Sequence, residues 1–163
     1  MKLILISGNG IGAGKTTLAD QLSDHRMSHA TELRHMMCAE FPEVDWYDTT
    51  QEGKLRPINK PNGTTVREAL IGYGQGKCAA DQVVWARTLG DRLDEDWVNT
   101  KFGVYLIGTV AVDDLRKVCE LEHLRSRFPD LVHVHLKYAA AIPEPQYDAD
   151  ELEALANYVI TRR

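Results

Sequence analysis

Residues 8–17 read GNGIGAGKTT, and the rest of the chain is organised around this stretch. It follows an apolar run, residues 3–6, that is typical of a buried parallel strand. A helical pattern begins at Lys15 and places Leu18 and Leu22 on one face. A strand, a glycine-rich turn, Lys-Thr and a helix are the successive elements of a P-loop, whose backbone N–H groups attract phosphate oxygens.

Each residue of the predicted loop has an expected role. Lys15 would contact the β- and γ-phosphates of a nucleotide, and the Thr16 hydroxyl would complete a Mg²⁺ shell. The predicted nucleotide contacts are Gly8, Asn9, Gly10, Gly12, Ala13, Gly14, Lys15, Thr16 and Thr17. The alternative interpretation is a glycine-rich turn that binds no ligand.

One position departs from the usual spacing of a P-loop. Glycine is expected five residues before Gly14, where this chain has Asn9, and Gly8 lies one position earlier. Either the loop is one residue longer than usual, or Asn9 adopts a left-handed conformation. Asparagine tolerates that conformation better than most residues do.

The composition is that of one ordinary globular domain. The 163 residues are 44% hydrophobic and 26% charged, which suffices for a buried core. The net charge of −5 argues against bulk nucleic-acid binding, although a local basic site for a small anion is compatible with it. Three widely spaced cysteines indicate reduced thiols and a cytoplasmic protein. We expect no signal peptide and no membrane span, since no apolar run approaches about 20 residues.

Apolar periodicity along the chain predicts alternating strands and helices. The predicted strands are residues 2–7, 27–30, 104–112 and 131–137. The predicted helices are residues 15–24, 31–41, a helix from 66 that breaks around 72–76, and residues 81–94, 113–127 and 148–161. This alternation predicts a single α/β domain, a parallel sheet with helices on both faces. Ligands then lie at the carboxyl ends of the strands.

Capping and burial patterns predict the ends or the buried face of three of these helices. Thr31 is the expected N-cap of the helix that ends at Phe41. Thr65 and Glu68 have the spacing of a capping box. The last predicted helix, residues 148–161, should bury Leu152, Leu155 and Val159.

Residues 42–63 form the longest stretch without a periodic pattern, and they are rich in Pro, Gly, Asn and Asp. Such long loops are usually functional or disordered. We therefore expect a mobile loop that closes over the site of an acceptor substrate.

Several classes of P-loop protein lack their signatures in this chain. A GTPase requires Asp-x-x-Gly, which is absent, and Asn-Lys-x-Asp, for which the nearest match is NKPN at residues 59–62. The chain is also short for a motor or transporter ATPase. A small kinase is therefore the preferred class.

Short motifs beyond the P-loop support this class by their order and spacing. They are ATELR at 30–34, a tyrosine-containing loop from Tyr47 to Pro57, Thr65-x-Arg67-Glu68-x-Leu70, Asp81 with Trp85, and Asp114-x-Arg116-x-x-x-Glu120. With these motifs the chain resembles the phage deoxynucleoside monophosphate kinases over nearly its whole length. The resemblance implies nucleotide substrates, with ATP and Mg²⁺ as cofactors, and a location in the cytoplasm of the host. No arginine-rich lid is evident between residues 137 and 148, so other arginines must stabilise the transfer.

A kinase of this kind needs cations on both sides of the transferred phosphoryl group. Arg67 is the preferred ligand of the acceptor phosphate, because a guanidinium binds phosphate bidentately. An arginine in the first turn of a helix is also poorly placed unless it has an anionic ligand. Arg116, as a further catalytic residue, and Arg34, as a substrate contact, are weaker candidates, whose alternative role is a surface salt bridge.

Other side chains have two interpretations each. Asp114 is the predicted Mg²⁺ ligand, although the adjacent Asp113 would serve as well, and either could cap a helix. Asp81 and Trp85 are predicted contacts of the acceptor nucleotide. Their alternatives are helix capping and core packing, respectively.

The histidines at positions 133 and 135 lie on the same face of a predicted strand. They could hold a metal ion or pack as ordinary histidines, and nothing nearby in the sequence supplies further ligands.

The preferred function is transfer of the γ-phosphoryl group of ATP to a deoxynucleoside monophosphate. One alternative is a kinase that acts on a modified base or a polynucleotide end. Another is a nucleotide-binding module without catalysis. The accepted base, the choice between deoxyribose and ribose, and a homodimeric state stay open.

Overall fold

The computed structural model describes residues 2–48, 50–58, 65–98, 108–144 and 147–162. Its strands form a five-stranded sheet in the order β2-β3-β1-β4-β5, with every adjacent pair parallel. The strands are β1 (Lys2–Gly8), β2 (His25–Met27), β3 (Thr109–Val112), β4 (Val132–Tyr138) and β5 (Tyr158–Arg162). The predicted α/β fold with a parallel sheet is therefore confirmed.

Seven helices lie within the described residues. They are α1 (Lys15–Leu22), α2 (His29–Glu40), α3 (Gln51–Leu55), α4 (Val66–Ala80), α5 (Val84–Val98), α6 (Val118–Arg127) and α7 (Ala149–Ala154). None of the helices in the described part of the chain is long and apolar enough to cross a membrane.

The core occupies both faces of the sheet because successive residues of a strand point in opposite directions. On one face, Leu3 and Leu5 pack with buried residues of α5, α6 and α7. On the other face, Ile4 and Ile6 pack with Ala19 of α1. Truncating a fully buried side chain such as Leu5 to alanine would cost about 2–5 kcal/mol. The core therefore fixes β1, and with it the start of the glycine-rich turn.

The described part of the segment 42–63 is more ordered than a surface loop. It contains the short helix α3, and Trp46 is only 1% exposed. The Trp46 indole donates a hydrogen bond to the carbonyl of Phe41, and Ile58 packs in the same hydrophobic cluster. Residues 51–55 are therefore helical where the sequence predicts no regular structure, whereas residues 42–48 contain no helix or strand, as predicted. Closure of this segment over an acceptor stays a prediction. Residues 49 and 59–63 lie outside the described residues.

The helix that carries the capping box continues further than predicted. Thr65 accepts a hydrogen bond from the Glu68 N–H, and the Glu68 carboxylate accepts one from Thr65, which confirms the capping box. The helix then passes through residues 72–76 and ends at Ala80. Each glycine costs about 1 kcal/mol relative to alanine, and tertiary packing outweighs that cost. Leu33 of α2, for example, approaches Gly74 closely.

Two helix starts differ from the predictions for a common reason. α2 begins at His29, with Ser28 in place of Thr31 as its N-cap, and β2 ends before it, at Met27. α6 begins at Val118, since residues 113–117 are not helical. Both junctions are held by side-chain contacts between segments that are distant in sequence, which local periodicity does not reveal.

The carboxyl-terminal helix is the largest error of the predictions. α7 ends at Ala154, and a strand, β5, follows and pairs with β4. Leu152 is fully buried as predicted, whereas Leu155 and Val159 are 40% and 46% exposed. Asn157 redirects the chain, because its backbone N–H and side-chain oxygen both bond to the His133 backbone. The β-branched residues that follow it favour a strand.

The predicted strand 104–112 is described only from Thr109 to Val112, where it forms β3. Residues 104–107 lie outside the described residues.

Candidate functional site

The glycine-rich loop, residues 8–14, joins the carboxyl end of β1 to α1. Gly10, Gly12 and Gly14 all have positive φ angles, of 148°, 83° and 94°. A side chain at Gly10 would also collide with the Ile142 carbonyl, 2.1 Å from the position of a Cβ atom. Ile11 and Ile142 exchange backbone hydrogen bonds of 2.9 and 3.0 Å, so the segment after β4 holds the loop in place.

Asn9, the unexpected residue of the loop, has a structural role. Its side-chain amide donates to the Tyr138 carbonyl at 2.9 Å and accepts from the Tyr138 N–H at 3.1 Å. Its own N–H donates to the Leu136 carbonyl at 3.1 Å. No non-glycine residue in the described chain has a positive φ, so the left-handed alternative for Asn9 is wrong. Asn9 instead continues the pairing of β1 with β4 through its side chain.

The other predicted nucleotide contacts differ in exposure. Gly12, Thr16 and Thr17 are exposed at the opening of the loop. Ala13 is only 2% exposed and packs in the same cluster as Ile4, so its methyl group belongs to the core. Only the backbone of Ala13 is therefore suited to meet a ligand.

Lys15 and Thr16 begin α1 and make the two polar contacts that organise the site. The Lys15 ammonium donates to the Gly10 carbonyl at 2.8 Å, across the loop. The Thr16 hydroxyl donates to a carboxylate oxygen of Asp113 at 2.7 Å. Burial lowers the pKa of Lys15 from its ordinary value. The helix N-terminus, a cation and a hydroxyl–carboxylate pair thus converge at one edge of the sheet.

The two adjacent aspartates after β3 have different environments. Asp114 is buried and accepts hydrogen bonds from the Ser28 hydroxyl and from the N–H groups of His29 and Ala30, at 2.9–3.0 Å. Burial would raise the pKa of Asp114, but the nearby His29 and Arg116 side chains and these hydrogen bonds hold it below its usual value. Asp114 therefore caps α2, whereas Asp113 faces Thr16.

Of the two alternatives for the metal-binding carboxylate, this geometry favours Asp113. Asp113, and not Asp114, is adjacent to Thr16, and burial raises the pKa of the Asp113 carboxyl. The described residues contain no group of three or more His, Cys, Asp or Glu arranged to hold a metal ion. A single carboxylate beside a threonine hydroxyl is nevertheless a donor set that suits Mg²⁺, which takes its other ligands from phosphate and water.

Arg116 lies beside Lys15, although the two are 101 positions apart in the chain. Both cations contact the Tyr147 ring, whose centroid is 5.3 Å from the Lys15 nitrogen and 5.2 Å from the Arg116 guanidinium carbon. The Arg116 carbonyl accepts a hydrogen bond from the Asp148 N–H at 2.9 Å, which fixes this arrangement. The structure thus brings Arg116 to the glycine-rich loop. No motif in the sequence indicated Tyr147.

Arg34 extends from α2 toward the same group of charges. One guanidinium nitrogen donates to the Ala30 carbonyl at 3.2 Å, and the buried Nε has no hydrogen-bond partner among the described residues. Burial lowers the pKa of Arg34, and the negative charge of Asp114 opposes that change. Asp114 also acts electrostatically on Arg116 and Lys15. The charge of the buried Asp114 carboxylate therefore acts on all three cations.

The remaining predicted contacts are not joined to this group. Arg67 is exposed in the first turn of α4 and makes no hydrogen bond or ion pair with the described residues. Asp81 accepts from the Val83 N–H at 3.1 Å and pairs with Arg87 at 2.5 Å, so it joins α4 to α5. Trp85 is 6% exposed. These environments favour the structural alternatives for Asp81 and Trp85.

The two histidines of β4 form a buried polar cluster below the loop. The hydroxyl of Ser7 on β1 lies 2.7 Å from Nε2 of His133 and 2.9 Å from Nδ1 of His135. All three side chains are fully buried. This arrangement favours the packing alternative over a metal pair.

Comparisons with known proteins give matches among solved structures. No family model matches the chain, and no curated protein matches it. The fold is similar to the unliganded crystal structure of a sugar kinase from Janibacter sp. HTCC2649, with a TM-score of 0.42 and 14% sequence identity. The match covers 99% of this chain and 85% of that chain. At this TM-score the similarity carries no argument about activity, which therefore depends on the site itself.

Proposed function

We propose that the protein is a Mg²⁺- and ATP-dependent kinase that phosphorylates a deoxynucleoside monophosphate. The observation that carries this proposal is the contact of Thr16 with Asp113, next to Lys15 at the end of the glycine-rich loop. It places a cation, metal-binding oxygens and a helix N-terminus around one space. These are the groups that a nucleoside triphosphate requires.

On the donor side, the loop N–H groups and Lys15 would bind the terminal phosphates of ATP. Thr16 and Asp113 would hold Mg²⁺, which neutralises charge on the migrating group when it is bound. Lys15 can leave the Gly10 carbonyl for a phosphate, because a neutral carbonyl is the weaker partner for an ammonium. The loop itself is pre-organised by Asn9 and Ile142, so binding requires little rearrangement.

On the acceptor side, Arg34 and Arg116 would direct the monophosphate toward the γ-phosphate. Both side chains lie within electrostatic reach of Asp114, at the edge of the sheet where Lys15 also lies. Guanidinium groups suit this role because they bind phosphate bidentately and stay charged. Arg67 would contribute a further contact from α4 when the acceptor is bound.

The deoxynucleotide acceptor is supported by the motif order of the chain. ATELR at 30–34 supplies Arg34, and the Asp114-x-Arg116 motif supplies Arg116, and both occur in the sequence pattern that resembles the phage kinases. The direct in-line reaction forms the bond from an acceptor phosphate oxygen to the γ-phosphorus. It breaks the bond from that phosphorus to the β–γ bridging oxygen, and ADP leaves.

A substrate panel tests the proposed function. The full chain is incubated with ATP, Mg²⁺ and each of the four deoxynucleoside monophosphates, and diphosphate products are separated by chromatography. We expect a diphosphate from at least one of them, with an equal amount of ADP. Phosphorylation of DNA ends alone would replace the proposed acceptor by a polynucleotide. ATP binding without any product would contradict catalysis.

A further inference from the structure

Arg162, at the end of the outermost strand β5, lies against the glycine-rich loop. One guanidinium nitrogen is 3.6 Å from the position that a Cβ atom on Gly14 would occupy. The guanidinium carbon is 4.8 Å from the centroid of the Tyr138 ring. Since Gly14 is the N-cap of α1, the cation lies where backbone N–H groups already attract anions.

The position of Arg162 is fixed by the sheet and not by the side chain alone. Tyr138 and Arg162 are register partners in the parallel pairing of β4 with β5, so both side chains are on the same face. The Tyr138 backbone is in turn held by Asn9 of the loop. Pairing of β4 with β5 therefore places the Arg162 guanidinium next to the glycine-rich loop.

The charge of Arg162 has no acidic partner among the described residues. Within the described ranges it forms no ion pair, and its side chain is exposed. A cation at a helix N-terminus opposes the helix dipole, so the arrangement is unfavourable unless an anion binds between them. Lys137, on the adjacent strand, is different because it pairs with Glu153 at 2.9 Å.

The order of the strands shows which end of a nucleotide this cation would meet. Asp113 follows β3, which lies on one side of β1, whereas Arg162 ends β5, which lies on the other side beyond β4. Under the proposed function, Thr16 and Asp113, which are hydrogen-bonded to each other, would hold Mg²⁺ at the γ-phosphate end of the nucleotide. Arg162 consequently faces the opposite end of the phosphate chain.

We propose that Arg162 binds the α-phosphate of the donor nucleotide at the N-terminus of α1. This inference rests on the proposed function, because it assumes a nucleoside triphosphate in the glycine-rich loop. It supplies a donor-side arginine to a chain that has no evident arginine-rich lid after β4. The residue is a binding residue and takes no part in bond breaking.

Titration calorimetry with Mg²⁺–ATP and Mg²⁺–ADP tests the assignment on the full chain. Arg162→Met keeps an apolar contact with Tyr138 and removes the charge. The Kd of both nucleotides should rise by the same factor, which is about tenfold for an exposed charged contact. Arg162→Lys should restore part of the affinity, because it keeps the charge without the fork geometry. Lys137→Met is the matched control, and its affinities should equal those of the wild type.

The possible failures are distinguishable. Wild-type affinity of Arg162→Met for both nucleotides would overturn the inference. A larger loss of affinity for ATP than for ADP would also overturn the inference, because Arg162 would then contact the γ-phosphate. If Lys15→Met binds ATP as tightly as the wild type does, the proposed function itself fails. Melting temperatures of the variants show that each is folded, and Arg162→Lys provides the comparison if Arg162→Met is not.

Discussion

The donor side and the acceptor side of the proposed site are built in different ways. The donor side comes mainly from one continuous stretch, residues 8–17, between β1 and α1. The acceptor side combines Arg34 of α2 with Arg116, which follows β3, and adds the predicted Arg67 in the first turn of α4. The donor side is therefore rigid and encoded locally. The acceptor side depends on how distant elements pack, so its residues should tolerate substitution in a graded manner.

The largest expected effect is on the donor side. Lys15→Met should abolish phosphoryl transfer and leave the fold intact, since it removes the charge at the transferred phosphate. Product formation is measured with the acceptor found in the substrate panel, and circular dichroism checks folding. Lys137→Met, which removes a lysine outside the loop, should retain activity. Near-normal turnover of Lys15→Met would contradict the donor site.

Substitutions of the two adjacent aspartates should affect different properties, namely stability for Asp114 and Mg²⁺ dependence for Asp113. Asp114→Asn should destabilise the protein by about 3 kcal/mol, because a buried, hydrogen-bonded charge is lost where α2 begins. Asp113→Asn should instead raise the Mg²⁺ concentration needed for half-maximal activity. Urea unfolding and Mg²⁺ titrations measure the two effects. If Asp113→Asn is the less stable variant and Asp114→Asn has the altered Mg²⁺ dependence, the assignment is reversed.

Variants of Arg67 test whether α4 contributes to binding of the acceptor phosphate. Arg67→Ala should reduce kcat/KM for the monophosphate about 10- to 150-fold, through a higher KM, if it binds the acceptor phosphate bidentately. ATP affinity without the acceptor should change little. Arg67→Lys should recover only part of the loss. Equal loss of ATP binding and acceptor use, or no effect on either, would remove Arg67 from the site and leave Arg34 and Arg116.

The smallest effect concerns acid stability beneath the donor loop. Burial lowers the pKa of His133 to about 4, against an ordinary value of 6.5. The unfolded chain therefore takes up a proton below pH 6.5 before the folded chain does. Stability is fully present above pH 6.5 and falls as the pH approaches 4, by about 2 kcal/mol at pH 5. Urea unfolding from pH 7 to 5 measures this.

A variant comparison identifies the group responsible for that pH dependence. His133→Asn should be less stable at pH 7 and lose less stability on acidification, because the titrating imidazole is absent. The exposed His25 on β2 provides the control, and His25→Asn should keep the wild-type slope. An unchanged slope in His133→Asn would assign the effect to other groups.

The accuracy of the sequence predictions follows the same division. The apolar runs of β1 and β4 and the start of α1 were predicted correctly, because their periodicity is local and strong. The helix predicted over 148–161 was wrong, since β5 exists only by pairing with β4. Local patterns cannot report such a pairing. For the same reason, the sequence alone leaves the choice between Asp113 and Asp114 as a metal ligand open.

The sequence by itself determined the α/β class, the parallel sheet and the position of the glycine-rich loop, because chain order, hydrophobic period and glycine placement are properties of neighbouring residues. The tertiary structure decided which charged groups meet. It placed Asp113 at Thr16, stacked Lys15 and Arg116 on Tyr147, and brought Arg162 to Gly14. Those contacts depend on strand order and on helix docking across the sheet. Local sequence patterns do not predict them, because the residues that meet are distant in the chain.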